Sequence, residues 1–156
     1  MEQQTAPMSG AIKAVTGLVL VMTAGFLWAS LWQRVFLIGG LALAAVSWFC
    51  YLYAPVAYEL TGHRLVVRRR FGERAFSPVV RCARLQERLG FGLRLWGNGG
   101  LFAATGIFWN RRLGVFRSYV TSCRPEDLVL VETKTQKIII SPENAEELVR
   151  MCPGHS

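Results

Sequence analysis

The chain has 156 residues, 52% of them hydrophobic, and a mean hydropathy of +0.30. That length supports one modest domain at most, and a soluble domain of this size seldom carries so much apolar character. Eighteen Lys and Arg against ten Asp and Glu leave a net charge of +8, which directs the protein toward something anionic. Four cysteines without C-x-x-C spacing and only two histidines exclude the common structural zinc sites and a disulfide framework, so neither a metal nor a cofactor is expected.

The apolar excess lies near the N-terminus. Behind a polar lead over residues 1–13, one charge-free stretch runs from Ala14 to Gln33 and a second from Val35 to Tyr58, with Arg34 alone between them. About 20 helical residues cross a hydrocarbon core about 30 Å thick, so residues 14–54 predict a transmembrane helical hairpin. Pro55 has no backbone N–H and biases Ala54 away from helical torsions, which ends the second helix near Tyr53. A secretory signal fits poorly, because a polar lead precedes Lys13 and no A-x-A site closes the run. Gly39, Gly40 and Ala44 form a small face that permits close helix packing. Arg64, Arg68, Arg69, Arg70 and Arg74 follow the second helix, against one arginine in the turn. The positive-inside bias then predicts an integral inner (plasma) membrane protein with both termini cytoplasmic. Trp28 and Trp32 would sit near the outer interface, and Trp48, Tyr51 and Tyr53 near the inner one.

Beyond the hairpin the pattern changes to period two, and residues 56–152 read as a β-domain with a C-terminal helix, followed by a short tail over 153–156. Val56, Tyr58 and Leu60 share one face of a strand. A turn at Gly62-His63 sets Leu60 opposite Leu65, Tyr58 opposite Val67, Arg68 near Ala57 and Arg70 near Pro55, so the arginines return to the membrane. Arg68 and Arg70 would share an outward face with Val66, with Arg69 just past the ladder. Glu73 to Ser77 and Val79 to Leu85 follow as strand candidates. Seven glycines between Gly90 and Gly114 predict bulges, tight turns or close backbone approaches. Val115 to Thr121, Leu128 to Glu132 and Lys137 to Ile140 suggest a meander. A final helix takes Ser141 as N-cap, Pro142 at N1, an apolar stripe of Ala145, Leu148, Val149 and Cys152, and a stop at Pro153-Gly154. The expected fold is an N-terminal two-helix hairpin plus about seven antiparallel strands in a partly open barrel or sandwich, capped by a helix.

Residues 58–151 resemble the bacterial pleckstrin-homology-like (PH) domains of the membrane-attached kind. The resemblance rests on Tyr58-Glu59-Leu60-Thr61 leading to Leu65-Val66-Val67-Arg68, and on Gly99-Gly100 leading to Gly106-Ile107-Phe108. It rests also on Leu113-Gly114 before Tyr119-Val120-Thr121, and on Val129 to Thr133 closing on Ile139-Ile140-Ser141-Pro142. It implies two roughly orthogonal sheets with a C-terminal helix, used for binding or assembly and not for catalysis. Eukaryotic relatives of that fold often bind phosphoinositides through basic residues around the first hairpin. Here that turn is very short, and the first strand lacks the lysine of the usual pocket.

Arg68, Arg69, Arg70 and Arg74 are the candidate contacts to anionic head groups, where each cation near the surface is worth about 1 kcal/mol. Arg111, Arg112 and Arg117 form a candidate second basic patch. Asn98, Gly99 and Gly100 are a candidate anion loop of successive N–H groups, although an ordinary glycine turn explains them more simply. Trp96, Phe102, Phe108 and Trp109 read either as core or as an aromatic groove. No G-x-S-x-G or HExxH motif is present, and Glu126-Asp127 read as a solvated turn, so no catalytic residue is assigned. His63 reads as a turn residue and His155 as part of the tail. Cys50, Cys82, Cys123 and Cys152 read as reduced apolar fillers of a cytoplasmic domain. Residues 59–156 carry 16 basic and 9 acidic residues, a net of +7, yet a tethered domain meets anionic lipid before nucleic acid, which is not expected as a partner. The sequence thus describes a membrane-anchored interaction module for a protein partner or anionic lipid. Its alternatives are a subunit of a larger membrane transport or signalling complex, and a small membrane-bound enzyme using the glycine-rich segment.

Overall fold

Apolar side chains on every face produce helix α1 (Gly10–Ala29) and helix α2 (Val35–Tyr53) in the computed structural model, which describes residues 2–85 and 92–152. Both helices are long and apolar enough to cross a membrane, and only 17% and 11% of their spans are buried within the protein. Leu18, Val21, Ile38 and Leu41 stand exposed, unlike the side chains of a core helix in a soluble domain. Helix α1 starts four residues before the charge-free stretch and takes Lys13 into its first turn. Helix α2 ends at Tyr53, where Ala54 turns extended ahead of Pro55. A Cβ on Gly40 would come within 2.7 Å of the Leu27 side chain, and one on Gly39 within 3.2 Å of Phe26. The small face that looked available to other helices is therefore filled by α1.

The rest of the chain forms two sheets. The first contains β1 (Glu2–Gln4), β2 (Pro55–Thr61), β3 (Arg64–Arg69) and β4 (Glu73–Phe76) in that spatial order. The second contains β5 (Val79–Arg84), β6 (Leu93–Gly99), β7 (Ala104–Asn110), β8 (Gly114–Val120), β9 (Val129–Thr133) and β10 (Lys137–Ile140), ordered β5-β9-β10-β8-β7-β6. Tyr58, Leu65 and Val67 of the first sheet pack against Val129, Val131, Ile138 and Ile140 of the second. Helix α3 (Ala145–Arg150) closes this core with Ala145, Leu148 and Val149. The result is an open two-sheet sandwich capped by a C-terminal helix.

Ten strands among the described residues replace the seven expected, and they differ in three respects. The glycines that obscured any alternation lie in a hairpin, β6–β7, with a register shift between Arg94 and Trp96. The last three strands are no simple meander. After β8 the chain crosses through a 3-10 turn at Pro125–Asp127 to β9, and β10 returns into the gap between them, antiparallel to β9 and parallel to β8. The helix cap also moves by three residues, because Asn144 accepts from Glu147 N–H at 3.2 Å. Gly90 and the helix stop at Pro153-Gly154 lie outside the described residues, as does His155.

The third respect concerns the polar lead, which is part of the β-domain. Strand β1 pairs with β2, setting Gln3 opposite Tyr58. The segment then stitches the two sheets together: Thr5 N–H donates to Val56 O at 3.2 Å, Ala6 N–H to Ser141 O at 2.8 Å and Ser9 N–H to Thr121 O at 3.1 Å. Ser141, expected as a cap, is fully buried at this seam. Its hydroxyl accepts from Thr121 N–H at 2.9 Å, and its own N–H donates to Tyr58 Oη at 3.4 Å. Tyr58 Oη in turn donates to Tyr119 O at 2.5 Å, and complete burial pushes the phenol well above its ordinary pKa.

Two of the four cysteines depart from the expected reduced state. Cys152, on the buried stripe of α3, is bonded to Cys82 of β5, with Cα atoms 5.9 Å apart. The stripe that covers the sheet carries Cys152 onto the inward-facing Cys82, so packing alone brings the two together. Cys50 and Cys123 are free, and burial raises the Cys123 thiol pKa.

Ser141→Ala strands a buried N–H, and we expect a loss of about 1–3 kcal/mol in denaturant unfolding of the full chain in detergent. Tyr58 is neutral when folded and ionises above its ordinary pKa when unfolded, so stability falls as pH rises past about 10. Tyr58→Phe should flatten that alkaline slope.

Candidate functional site

The position of each arginine follows from the β2–β3 ladder. Leu60 faces Leu65, Tyr58 faces Val67 and Ala57 faces Arg68, as the alternation predicts. A bulge between Pro55 and Ala57 then advances the register, so that Arg69, not Arg70, stands opposite Pro55. Arg70 lies beyond the strand, where its N–H reaches Ala54 O at 3.4 Å. Arg68 projects outward into ion pairs with Glu59 at 3.0 Å and Glu2 at 3.4 Å, which consume its charge.

Arg69 has the same strand parity as Val67, and Arg74 of β4 lies directly opposite Val67. Both therefore occupy the core-facing side of the first sheet, past the point where its apolar residues end. In the second sheet, Arg117 shares a face with core residue Tyr119 and pairs with Ile107. Arginines from the inner faces of both sheets thus meet a cleft of about 490 Å³ at the open end of the sandwich. Phe49, Cys50 and Tyr53 of α2 form one wall, and Trp96, Thr105 and Ile107 line the side toward the second sheet. Among the described residues no acidic one lines it. Among the described residues, Arg69, Arg74 and Arg117 have no carboxylate partner, and the buried Nε of Arg69 has no hydrogen-bond partner. Arg69 stacks over Tyr53 at 5.0 Å and Arg70 over Tyr51 at 4.2 Å, which holds both guanidinium groups at the end of α2.

Gly97 and Gly106 also border the cleft. They face each other across β6 and β7 at φ values of +111° and +146°. A Cβ on Gly106 would lie 2.1 Å from Trp96 O, so the two backbones touch only because neither residue has a side chain.

The other candidates separate. Arg111 and Arg112 lie at the β7–β8 turn, apart from Arg117, so the three make no single patch. The side-chain oxygen of Asn98 accepts from Gly100 N–H at 3.3 Å and Leu101 N–H at 3.0 Å, while its amide donates to Leu101 O. The donors proposed for an anion are spent on closing a turn, and Gly99 is paired with Ala104 at the end of β6. That turn instead docks the sheet on the helices. Phe102 N–H donates to Thr16 Oγ1 of α1 at 2.9 Å, and the Phe102 ring meets Tyr51 at 5.4 Å. Phe108 is core, stacked on Phe116 at 5.9 Å, whereas Trp96 is 78% exposed. Sequence reasoning did not join Arg117 to Arg69 and Arg74. Its alternation with Tyr119 was the available signal, but which face lay inward required the sheet pairing.

A family model described as a bacterial PH domain matches residues 56–155. The chain belongs to the bacterial PH-domain family. No curated protein and no solved structure matches it. Among the described residues no group of three or more His, Cys, Asp or Glu could hold a metal ion, and the PH family is consistent with a non-catalytic scaffold or interaction domain. In this PH domain the β2–β3 turn at Gly62-His63 is remote from the cleft, at the opposite end of the two strands.

Gly106→Ala should lower the thermal midpoint of the full chain in detergent by the equivalent of about 1–3 kcal/mol. Gly17→Ala, at a helical site with nothing within 4 Å of the added carbon, should not lower it.

Proposed function

We propose that this protein is an integral membrane module whose hairpin holds a basic PH domain against the cytoplasmic face of the bilayer, where it engages anionic lipid. The observation that carries this reading is the stacking of Arg69 and Arg70 on Tyr53 and Tyr51, the tyrosines that end the second span. Tyrosines at a helix end favour the head-group region, so cations fixed on them stand at the same depth. Exposed Trp48 and Trp96 supply further interfacial surface. Attraction of about 1 kcal/mol per cation then orients the domain, with Arg69, Arg70 and Arg74 contributing and Arg68 already neutralised by Glu59 and Glu2.

Sidedness is supported by the arginines after α2, set against Arg34 in the turn. The Cys82–Cys152 bond points the other way, because disulfides persist mainly outside reducing cytosol. The charge pattern carries more weight. It acts during insertion, whereas the thiol state is set afterwards by whichever compartment receives the domain. On the cytoplasmic side the bonded pair of the structure is the oxidised form of two cysteines that the reducing compartment opens.

Topology reporters at the C-terminus and thiol trapping in intact cells test both statements together. A fused green fluorescent protein should fluoresce, a fused alkaline phosphatase should be inactive, and Cys82 and Cys152 should be alkylated without prior reduction. Active phosphatase with a bonded pair would reverse the orientation and end this reading.

A further inference from the structure

We infer that the cleft between the two sheets is a stoichiometric site for one anionic glycerophospholipid. Its phosphate is held among Arg69, Arg74 and Arg117, and the start of an acyl chain lies against Phe49, Cys50 and Tyr53. This inference rests on the proposed membrane setting but asks for more than diffuse attraction. Three features of the cleft select that occupant.

The first is charge. Three guanidinium groups converge on one half-open cleft, and among the described residues no carboxylate lines it to balance them. The buried Arg69 Nε without a partner is a donor awaiting an acceptor, and planar guanidinium groups suit phosphate oxygens. The second is continuity. One wall is the last two turns of α2, so an apolar path leads from the cleft along the exposed surface of a membrane span. A free phosphate would use the arginines and leave Phe49, Ile107 and Trp96 without a partner, whereas a lipid uses both kinds of wall. The third is size. A volume of about 490 Å³ falls in the roughly 300–1,000 Å³ range of small-ligand sites. It is suited to a head group and glycerol backbone whose chains remain in the bilayer.

The test uses the purified full chain in nanodiscs of phosphatidylcholine with a minor fraction of phosphatidylglycerol, and native mass spectrometry reads the lipid retained on release. One phosphatidylglycerol per chain is expected. Arg69→Gln with Arg117→Gln should reduce that retention by about a hundredfold or more, the size of two lost charge-assisted hydrogen bonds. Arg64→Gln with Arg111→Gln removes the same charge from exposed positions away from the cleft and should leave retention unchanged. Excess inorganic phosphate should fail to displace the lipid. Arg74→Gln guards against a folding defect, since Arg74 makes no ion pair with the described residues, and it should show the same direction of loss. Equal losses from both double variants would overturn the site while leaving diffuse membrane attraction intact. Complete displacement by phosphate would make it an ion site and overturn the lipid assignment. No preference for phosphatidylglycerol over phosphatidylcholine would overturn this inference and the anionic-lipid reading together.

Discussion

The seam between residues 2–9 and the two sheets is the constraint on which the remaining architecture depends. Backbone bonds from Thr5 to Val56, Ala6 to Ser141 and Ser9 to Thr121 fix the entry of the first helix beside the exit of the second. Buried backbone groups must be paired, and here the partners of one sheet edge come from the other side of the hairpin. Both helices therefore leave the β-domain from one place, and the two ends of the hairpin lie side by side. A fragment beginning at Val56 lacks this strand and is a different molecule from the full chain.

The open end of the sandwich lies beside the end of α2. Close to the seam, Tyr58 and Ser141 bind the sheets together through buried hydrogen bonds, and the core is continuous with α3. At the end near α2, the apolar inner faces give way to arginines on β3, β4 and β8. Cross-strand partners share a face, so a cation opposite Val67 points where a core side chain otherwise would. The helix end supplies aromatic cover in place of a closed core. Fold and site thus have a common origin, because the gap between the sheets is where the two apolar helices attach.

Much of the fold was readable from the residues. The apolar runs gave both helices, and Pro55 gave the end of the second. Alternation from Tyr58 to Val67 gave the hairpin register, because a one-residue slip would have turned Leu60, Leu65 and Tyr58 to solvent. The Val56 bulge was not readable, and its single extra residue exchanges the roles of Arg69 and Arg70. Strand β1 was hidden because Glu2, Gln3 and Gln4 carry no apolar pattern and pair through the backbone. Strands β6 and β7 were hidden because Gly97 and Gly106 are required by close backbone approach, which leaves no side-chain period to detect. The cleft depends on long-range pairing, which places Arg117 beside Arg69 and Arg74 although more than forty positions separate them in the chain.

Strand β1 also imposes an order of events during synthesis. Glu2 is translated long before Glu59, its partner in the ladder, and the whole hairpin is made in the interval. The leading segment must therefore wait, unpaired, until both helices are made and β2 has emerged beside it. Such distant pairings bear the full entropy of loop closure before any bond repays it, so they form late. Docking of the N-terminal strand is thus a final latch, and it engages only when the helical hairpin has formed with its two ends together.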